Sequence, residues 1–280
     1  MIEVRHPKPE EWDETAELWS FAFGDGPALQ KQFYELCGLE GPIALWENGG
    51  LRSMLALPEV KLQFGDSWTP VRAGYVYALA TGLGYGGKGW ASALLNCAAA
   101  LAKQQGLDCL LTVPARPDLF GFFQKNDFKP GFYLREIQAK PEFAPASPVS
   151  PAQYNTLREE RLAFQTHIVY SQGQIAFQEA LCGLCQRPGS GLYRLELAHG
   201  PGCAAIERLK HPLVKELLCD PRDEAQGAAA CAALCDAPTR VRVPACAEDG
   251  QPFGAIRWLC RQPPNGWQAK PEGWLGLAFD

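Results

Sequence analysis

The chain has 280 residues, 47% of them apolar and 20% charged, which excludes intrinsic disorder and provides enough surface to bury a core in one large domain or two modest ones. Its net charge of −5, with Lys and Arg dispersed, argues against nucleic-acid partners, and no apolar run approaches the roughly 20 residues of a membrane helix. The opening Met1-Ile-Glu-Val-Arg5 lacks signal-peptide anatomy, so a cytoplasmic location with no membrane partner is expected.

Ile2 to Arg5 reads as a first strand, and Pro9-Glu-Glu-Trp-Asp-Glu14 opens a helix with acids in its first turn, which suits the helix dipole. Leu18, Trp19, Ala22 and Phe23 form its apolar side, and Asp25-Gly-Pro27 separates it from a second helix over Ala28 to Cys37. Ile43 to Trp46 and Leu51 to Phe64 are strand runs about a hairpin signal, Glu47-Asn-Gly-Gly50. A strand over Val71 to Thr81 then enters Gly82-Leu-Gly-Tyr-Gly-Gly-Lys-Gly89, with five glycines in eight residues. A helix follows from Trp90, with apolar residues at Ala91, Leu94, Leu95, Ala98, Leu101 and Ala102, and it stops at Gly106. Strand, glycine turn and helix together present free N–H groups and a positive dipole end to an anion, for which phosphate is the natural guest.

Spacing separates the phosphate motifs that compete for this stretch. A Walker loop needs Ser or Thr after its lysine, and Lys88 is followed by Gly89 and Trp90. A dinucleotide fingerprint is formally present at Gly82, Gly84 and Gly87, but the next strand, Cys109 to Val113, ends in Pro114-Ala-Arg116 without the required acid. Gly86-Gly-Lys-Gly89-Trp-Ala91 resembles the acetyl-CoA pyrophosphate loop of the GNAT N-acetyltransferases at its Gly and Ala positions. Phe122-Phe-Gln-Lys-Asn-Asp-Phe128 resembles the second GNAT signature, Phe-Tyr-x-Lys-x-Gly-Phe, in the right order along the chain. The resemblance is to the two-lobed bacterial branch that includes the Eis-type enzymes, and for the catalytic lobe it covers the first half. Three positions depart from the pattern: Gly86 replaces Arg or Gln, Phe123 replaces the tyrosine that protonates the leaving thiolate, and Asp127 replaces glycine. The alternative to a ligand loop is a glycine turn that merely lets the helix pack tightly on the sheet.

Phe143 to Pro151 is a Pro/Ser/Ala stretch read as a linker between lobes. Helices are expected over Ala152 to Ala163 and Ile168 to Cys185, and strands over Leu192 to Ala198, Cys203 to Leu209 and Val214 to Cys219. An alanine-rich helix over Glu224 to Cys235 precedes strands at Arg240 to Val243, Gly254 to Cys260 and Trp274 to Phe279. This order repeats the first half, and Leu111-Thr-Val-Pro-Ala115 and Val241-Arg-Val-Pro-Ala245 fall at the same place in each copy. In the second copy Asp220-Pro-Arg-Asp-Glu224 replaces the glycine loop, and carboxylates there cap the helix and repel pyrophosphate. The expected class is α/β with a mixed sheet. A GNAT lobe over 1–142 is followed by a linker over 143–151 and a degenerate GNAT-like lobe over 152–280 that binds no CoA. The 11 scattered cysteines read as reduced, buried thiols, against the alternative of a zinc site from Cys182, Cys185, Cys231 and Cys235, so no metal is expected.

The resemblance implies direct transfer of an acetyl group from acetyl-CoA to an amine, the acceptor being a small molecule or peptide. It places the pyrophosphate over Gly86, Gly87, Lys88, Gly89, Trp90 and Ala91, the oxyanion donor on the backbone around Leu79, Ala80 and Thr81, and the end of the acyl-CoA groove at Phe122 and Phe123. Tyr133 is a substitute acid or, equally, a packed strand aromatic. Glu47, Glu59 and Asp66 are candidate bases or solvated hairpin acids, and the terminal carboxylates at Asp280 are candidates for acceptor binding, as the resemblance to Eis-type enzymes implies. Two other readings stand beside this one: an acyl-CoA-binding homologue with weak or no catalysis, and a two-lobed interaction protein without CoA. The sequence leaves the oligomeric state open.

Overall fold

The computed structural model describes residues 1–65, 69–208, 210–260 and 262–279. Contacts group Met1–Lys61, Val71–Lys129 and Ala255–Pro263 in one unit, and Leu62–Pro70, Pro130–Gly254 and Pro264–Asp280 in the other. The first contains β1 (Ile2–Arg5), α1 (Trp12–Phe23), α2 (Pro27–Cys37), β2 (Ile43–Glu47), β3 (Gly50–Ala56), the start of β4 (Glu59–Phe64), β5 (Val71–Thr81), α3 (Trp90–Gln104), β6 (Cys109–Thr112) and α4 (Phe120–Gln124). The β2–β3 hairpin turns on Asn48 (φ 50°) and Gly49 (φ 81°), the pair of left-handed residues that a type I′ turn demands. β1, β2, β3 and β5 pair antiparallel in that order, and β6 joins parallel to β5, so a crossover is required, which α3 supplies. On β6's other side lie Ala255–Trp258, antiparallel and more than 140 residues downstream of Thr112.

Two apolar layers hold this sheet. On one face Leu94, Leu95, Ala98 and Ala102 of α3 pack with Phe123, Phe128 and the sheet residues Leu45, Leu55, Val76 and Leu110. Elsewhere in the unit Trp19 of α1 meets Phe33 of α2 and Tyr77 of β5 edge-on, with ring centroids 5.5 and 5.4 Å apart.

The chain continues through β7 (Lys129–Ala139), β8 (Ala146–Pro148), α5 (Pro151–Leu162), β9 (Thr166–Val169), α6 (Gln172–Leu184), β10 (Gly191–Leu195), β11 (Gly202–Glu207), β12 (Leu213–Leu218), α7 (Glu224–Cys235), β13 (Thr239–Ala245), β14 (Gln251–Trp258) and α8 (Asn265–Ala269). The second unit's sheet runs β7-β13-β12-β11-β10-β8, antiparallel except for β12–β13, which are parallel and joined through α7. Each unit thus carries an antiparallel meander that ends in a parallel strand–helix–strand crossover.

Three expectations are corrected. The Pro/Ser/Ala stretch is not a free linker: Ala146–Pro148 pairs with β10, and Ser150 and Gln153 form the capping box that starts α5. Prolines are tolerated there because β8 is an edge strand. The helix expected from Ile168 is divided into β9 and α6, since Ser171 caps α6 and its own backbone is extended (ψ 161°). The segment expected as a strand over Trp274 to Phe279 has only an isolated bridge, His167 to Trp274, before it runs on as a buried tail. α8, a five-residue helix, lies in a stretch for which the sequence analysis assigns no element. Among the described residues no helix is long and apolar enough to cross a membrane.

Candidate functional site in the first unit

The site is built where β5 and β6 part. Their parallel register runs from Ala73–Cys109 to Val76–Thr112 and ends there, while β5 continues to Thr81. Just beyond, Ala78 takes a left-handed φ of 50°, and the pairing with β3 slips: Met54 faces Ala80 but Ala56 faces Tyr77. This is a β-bulge, which bends a strand and re-aims the residues beyond it. Past it, Ser53 Oγ donates to Ala80 O at 2.6 Å and Gly82 N–H donates to Arg52 O at 2.9 Å, so those groups face β3. By strand alternation the N–H of Thr81, in the regular pairing past the bulge, points the other way, to the flank that β6 has left.

The glycine loop is open. A Cβ at Gly84, Gly86, Gly87 or Gly89 would meet no atom within 4 Å, so these glycines do not serve tight packing of helix on sheet. Gly84, Gly87 and Gly89 have φ of 76°, 74° and 84°, a backbone that side chains disfavour, whereas Gly86 is under neither constraint. Gly89 is the N-cap of α3, and neither a capping side chain nor an acidic residue occupies the first turn. The helix therefore presents its free N–H groups at an exposed surface, in the geometry that binds anions.

Cations stand beside the loop. The Arg52 guanidinium lies 4.2 Å from the Tyr85 ring centroid and the Lys88 ammonium 5.4 Å from it. Arg52 is engaged by Glu47 at 3.0 Å; exposed Lys88 has no ion pair among the described residues. Arg52, Tyr85 and the bulge at Ala78 were missed by sequence reasoning. Tyr85 is signalled by its place among the glycines, but an alanine in a strand gives no hint of a bulge.

The second signature divides into structural parts. Phe123 is 5% exposed, and its ring sits 5.4 Å from that of Phe128 in the core under α3, with half-buried Phe122 beside it. Asp127 keeps the left-handed turn (φ 65°) for which glycine is the usual choice, and it faces Arg257 at 3.6 Å. Tyr133 belongs to the second unit, half-buried on β7 opposite Ala245, where burial and then the Glu272 carboxylate push its hydroxyl pKa up. The candidate bases are occupied: Glu47 by Arg52, and Glu59 by Arg72 at 2.7 Å, whose hydrogen bonds hold Glu59 below the usual carboxylate range. Asp66 and Asp280 lie outside the described residues.

Residues 3–128 match the profile of the acetyltransferase (GNAT) domain. This stretch is a GNAT acetyltransferase domain. The whole chain shares its fold with solved structures at low identity. A probable N-acyltransferase from Enterococcus faecalis is 13% identical, with a TM-score of 0.68 over 92% of this chain and 73% of that one. A GCN5-related N-acetyltransferase from Anabaena variabilis is 14% identical, with a TM-score of 0.67 over 93% and 73%. Eis1 from Mycobacterium abscessus is 13% identical, with a TM-score of 0.63 over 92% and 74%. No curated protein matches the sequence. In this GNAT domain, glycine loop, open helix start and parted strands occupy one continuous stretch of chain, Val71 to Gln104 with Cys109 to Thr112 alongside.

Proposed function

We propose that the protein is an N-acetyltransferase that moves an acetyl group from acetyl-CoA to an amine, carried on a small molecule or peptide, by direct attack with both substrates bound in the cytoplasm. The observation that carries this reading is the open α3 N-terminus: four glycines with no packing neighbour, no acid in the first turn, and the parted β5 and β6 alongside. Acetyl-CoA supplies the acyl group as an activated thioester. The first-turn N–H groups and Lys88 hold the pyrophosphate, and the N–H of Thr81 stabilises charge as it develops on the carbonyl oxygen. Holding the amine and the thioester together supplies much of the remaining acceleration.

Two observations favour a second reading, a homologue that binds acyl-CoA with little catalysis. Phe123 has no hydroxyl and faces the core, and Gly86 offers no side chain to the pyrophosphate. Neither removes the helix start, and a general acid contributes only about 10² to 10⁴-fold.

Calorimetry with CoA tests the site. Gly89→Glu should abolish binding, but at φ 84° it also strains the loop, so Gly86→Glu is the cleaner probe: its Cβ has open space and only the charge is new. Wild-type affinity in Gly86→Glu would remove the pyrophosphate site. Thiol release with a panel of amines then separates an enzyme from a binder.

A further inference from the structure

The second unit contains its own cleft, of about 830 Å³, at the matching place in its topology. β12 and β13 pair only at Leu213–Arg240 and Val214–Val241; beyond, Leu217 and Leu218 on one side and Val243 to Cys246 on the other form its walls. The start of α7 turns this cleft away from pyrophosphate. Asp220 accepts from Arg222 N–H at 3.0 Å, Asp223 accepts from His199 N–H at 2.7 Å, and Glu224 pairs with Arg135 at 2.9 Å, so acids already fill the helix N-terminus.

Three cations and five carboxylates line the cleft, and most are spoken for. Arg135 is engaged by Glu224 and Asp249, Lys270 by Glu272, and Asp220 by Arg222. Two are left. Arg161, half-buried at the end of α5, and its exposed neighbour Glu160 have neither hydrogen bond nor ion pair among the described residues. The Arg161 guanidinium is seated beside Gly200, where an added Cβ would come 3.0 Å from Nη2. A half-buried guanidinium with no acceptor is costly to keep, and a carboxylate, which can take two parallel N–H bonds, is its best partner. Cys219 in the wall is no nucleophile, because burial pushes its thiol up to about 12.

We propose that this cleft binds a small zwitterion, an amino acid or short peptide, with its carboxylate on Arg161 and its ammonium group on Glu160. The volume lies within the range of small-molecule pockets and exceeds what a single free amino acid fills, which favours a dipeptide or tripeptide. The site lies wholly in the second unit and does not rest on the acyl-transfer reading.

Thermal-shift screening of the whole chain against the free amino acids and a set of unblocked di- and tripeptides should yield a compound that binds saturably. Calorimetry with that compound, its N-acetyl form and its C-terminal amide should show each blocked form about tenfold weaker or worse, since each loses one charge-assisted contact. Arg161→Met should weaken the unblocked compound to a similar degree with the circular dichroism spectrum unchanged, whereas Gly89→Glu should leave it unaffected. Blocked forms on the wild-type protein keep the test decisive even if Arg161→Met fails to fold. No saturable binder in the set, equal binding of the blocked forms, or indifference to Arg161→Met would each overturn the proposal.

Discussion

Glu216 is fully buried, and its carboxylate takes hydrogen bonds from Tyr154 Oη at 3.0 Å, Arg158 Nε at 2.9 Å and Trp274 Nε1 at 2.6 Å. Burial alone would lower the Arg158 pKa, and Glu216, Tyr170 and Glu159 together more than offset it. Glu216→Ala leaves that buried guanidinium with only the partly exposed Glu159, 3.1 Å away, as counter-charge, so chemical denaturation should show a loss of roughly 3–5 kcal/mol. Gly276 is tied to the same carboxylate: it has φ 70°, and a Cβ there would collide with Glu216. In the first unit the reasoning reverses, because Gly86 has room. Gly86→Arg should tighten CoA by about tenfold in calorimetry, the weight of one charge-assisted contact; equal or weaker binding would show that this loop has its own way of holding phosphate. Tyr133, on β7 of the second unit, is the substitute acid that the family resemblance offers in place of Phe123. Its pKa is raised, so the protonated, donating form persists to higher pH than for an ordinary tyrosine. If it serves the leaving thiolate, Tyr133→Phe should lower kcat about 10²-fold with little change in acyl-CoA KM, and the wild-type rate should persist beyond the pH at which an ordinary tyrosine ionises. Unaltered kcat would return Tyr133 to the packed strand.

At the scale of elements, the same crossover appears twice with opposite electrostatics. α3 begins on Gly89 with no acid in its first turn, and α7 begins on Asp223 and Glu224. The backbone geometry that attracts an anion is therefore present in both units, and the flanking side chains decide which one stays open. The tail after α8 is a second case in which environment governs. Its backbone is held by Tyr170 Oη on Leu275 O at 3.0 Å and Gln178 Nε2 on Ala278 O at 3.1 Å, while Phe279 packs against Phe177 and Tyr170. Deleting 274–280 exposes those partners and removes Trp274, Leu275, Leu277 and Phe279 from the interior. Loss of a cooperative unfolding transition in the second unit is expected, monitored by tryptophan fluorescence; a truncated chain with wild-type stability would mean that the tail only lies in a groove.

The whole molecule cannot be cut where its composition invites the cut. Ala255–Trp258 close the first unit's sheet against β6, so a fragment of residues 1–142 would leave Cys109 to Thr112 as an edge, and every one of those residues is buried in the intact chain. The fragment is expected to aggregate or to lack a cooperative thermal transition, and co-expression with 143–280 should restore a soluble complex. A stable, monomeric 1–142 would contradict the strand assignment.

The amino-acid sequence by itself determined the local grammar of the GNAT domain. The 71–81 strand, the hairpin at Asn48-Gly49, the glycine loop and the helix from Trp90 were all readable, because each is set by periodicity, turn chemistry and glycine content within some 20 residues. Of the loop's function, the sequence showed which backbone was permissive but not that the space around it was empty. Only the tertiary structure decided that Phe123 faces the core, that Glu47 and Glu59 are held by arginines, and that Arg161 is left without a partner among the described residues. Only it decided, too, which sheet receives Ala255–Trp258. A strand's alternation fixes which residues are apolar and says nothing of which edge they will meet, so partners distant in sequence are chosen by packing, where many segments with the same local pattern compete.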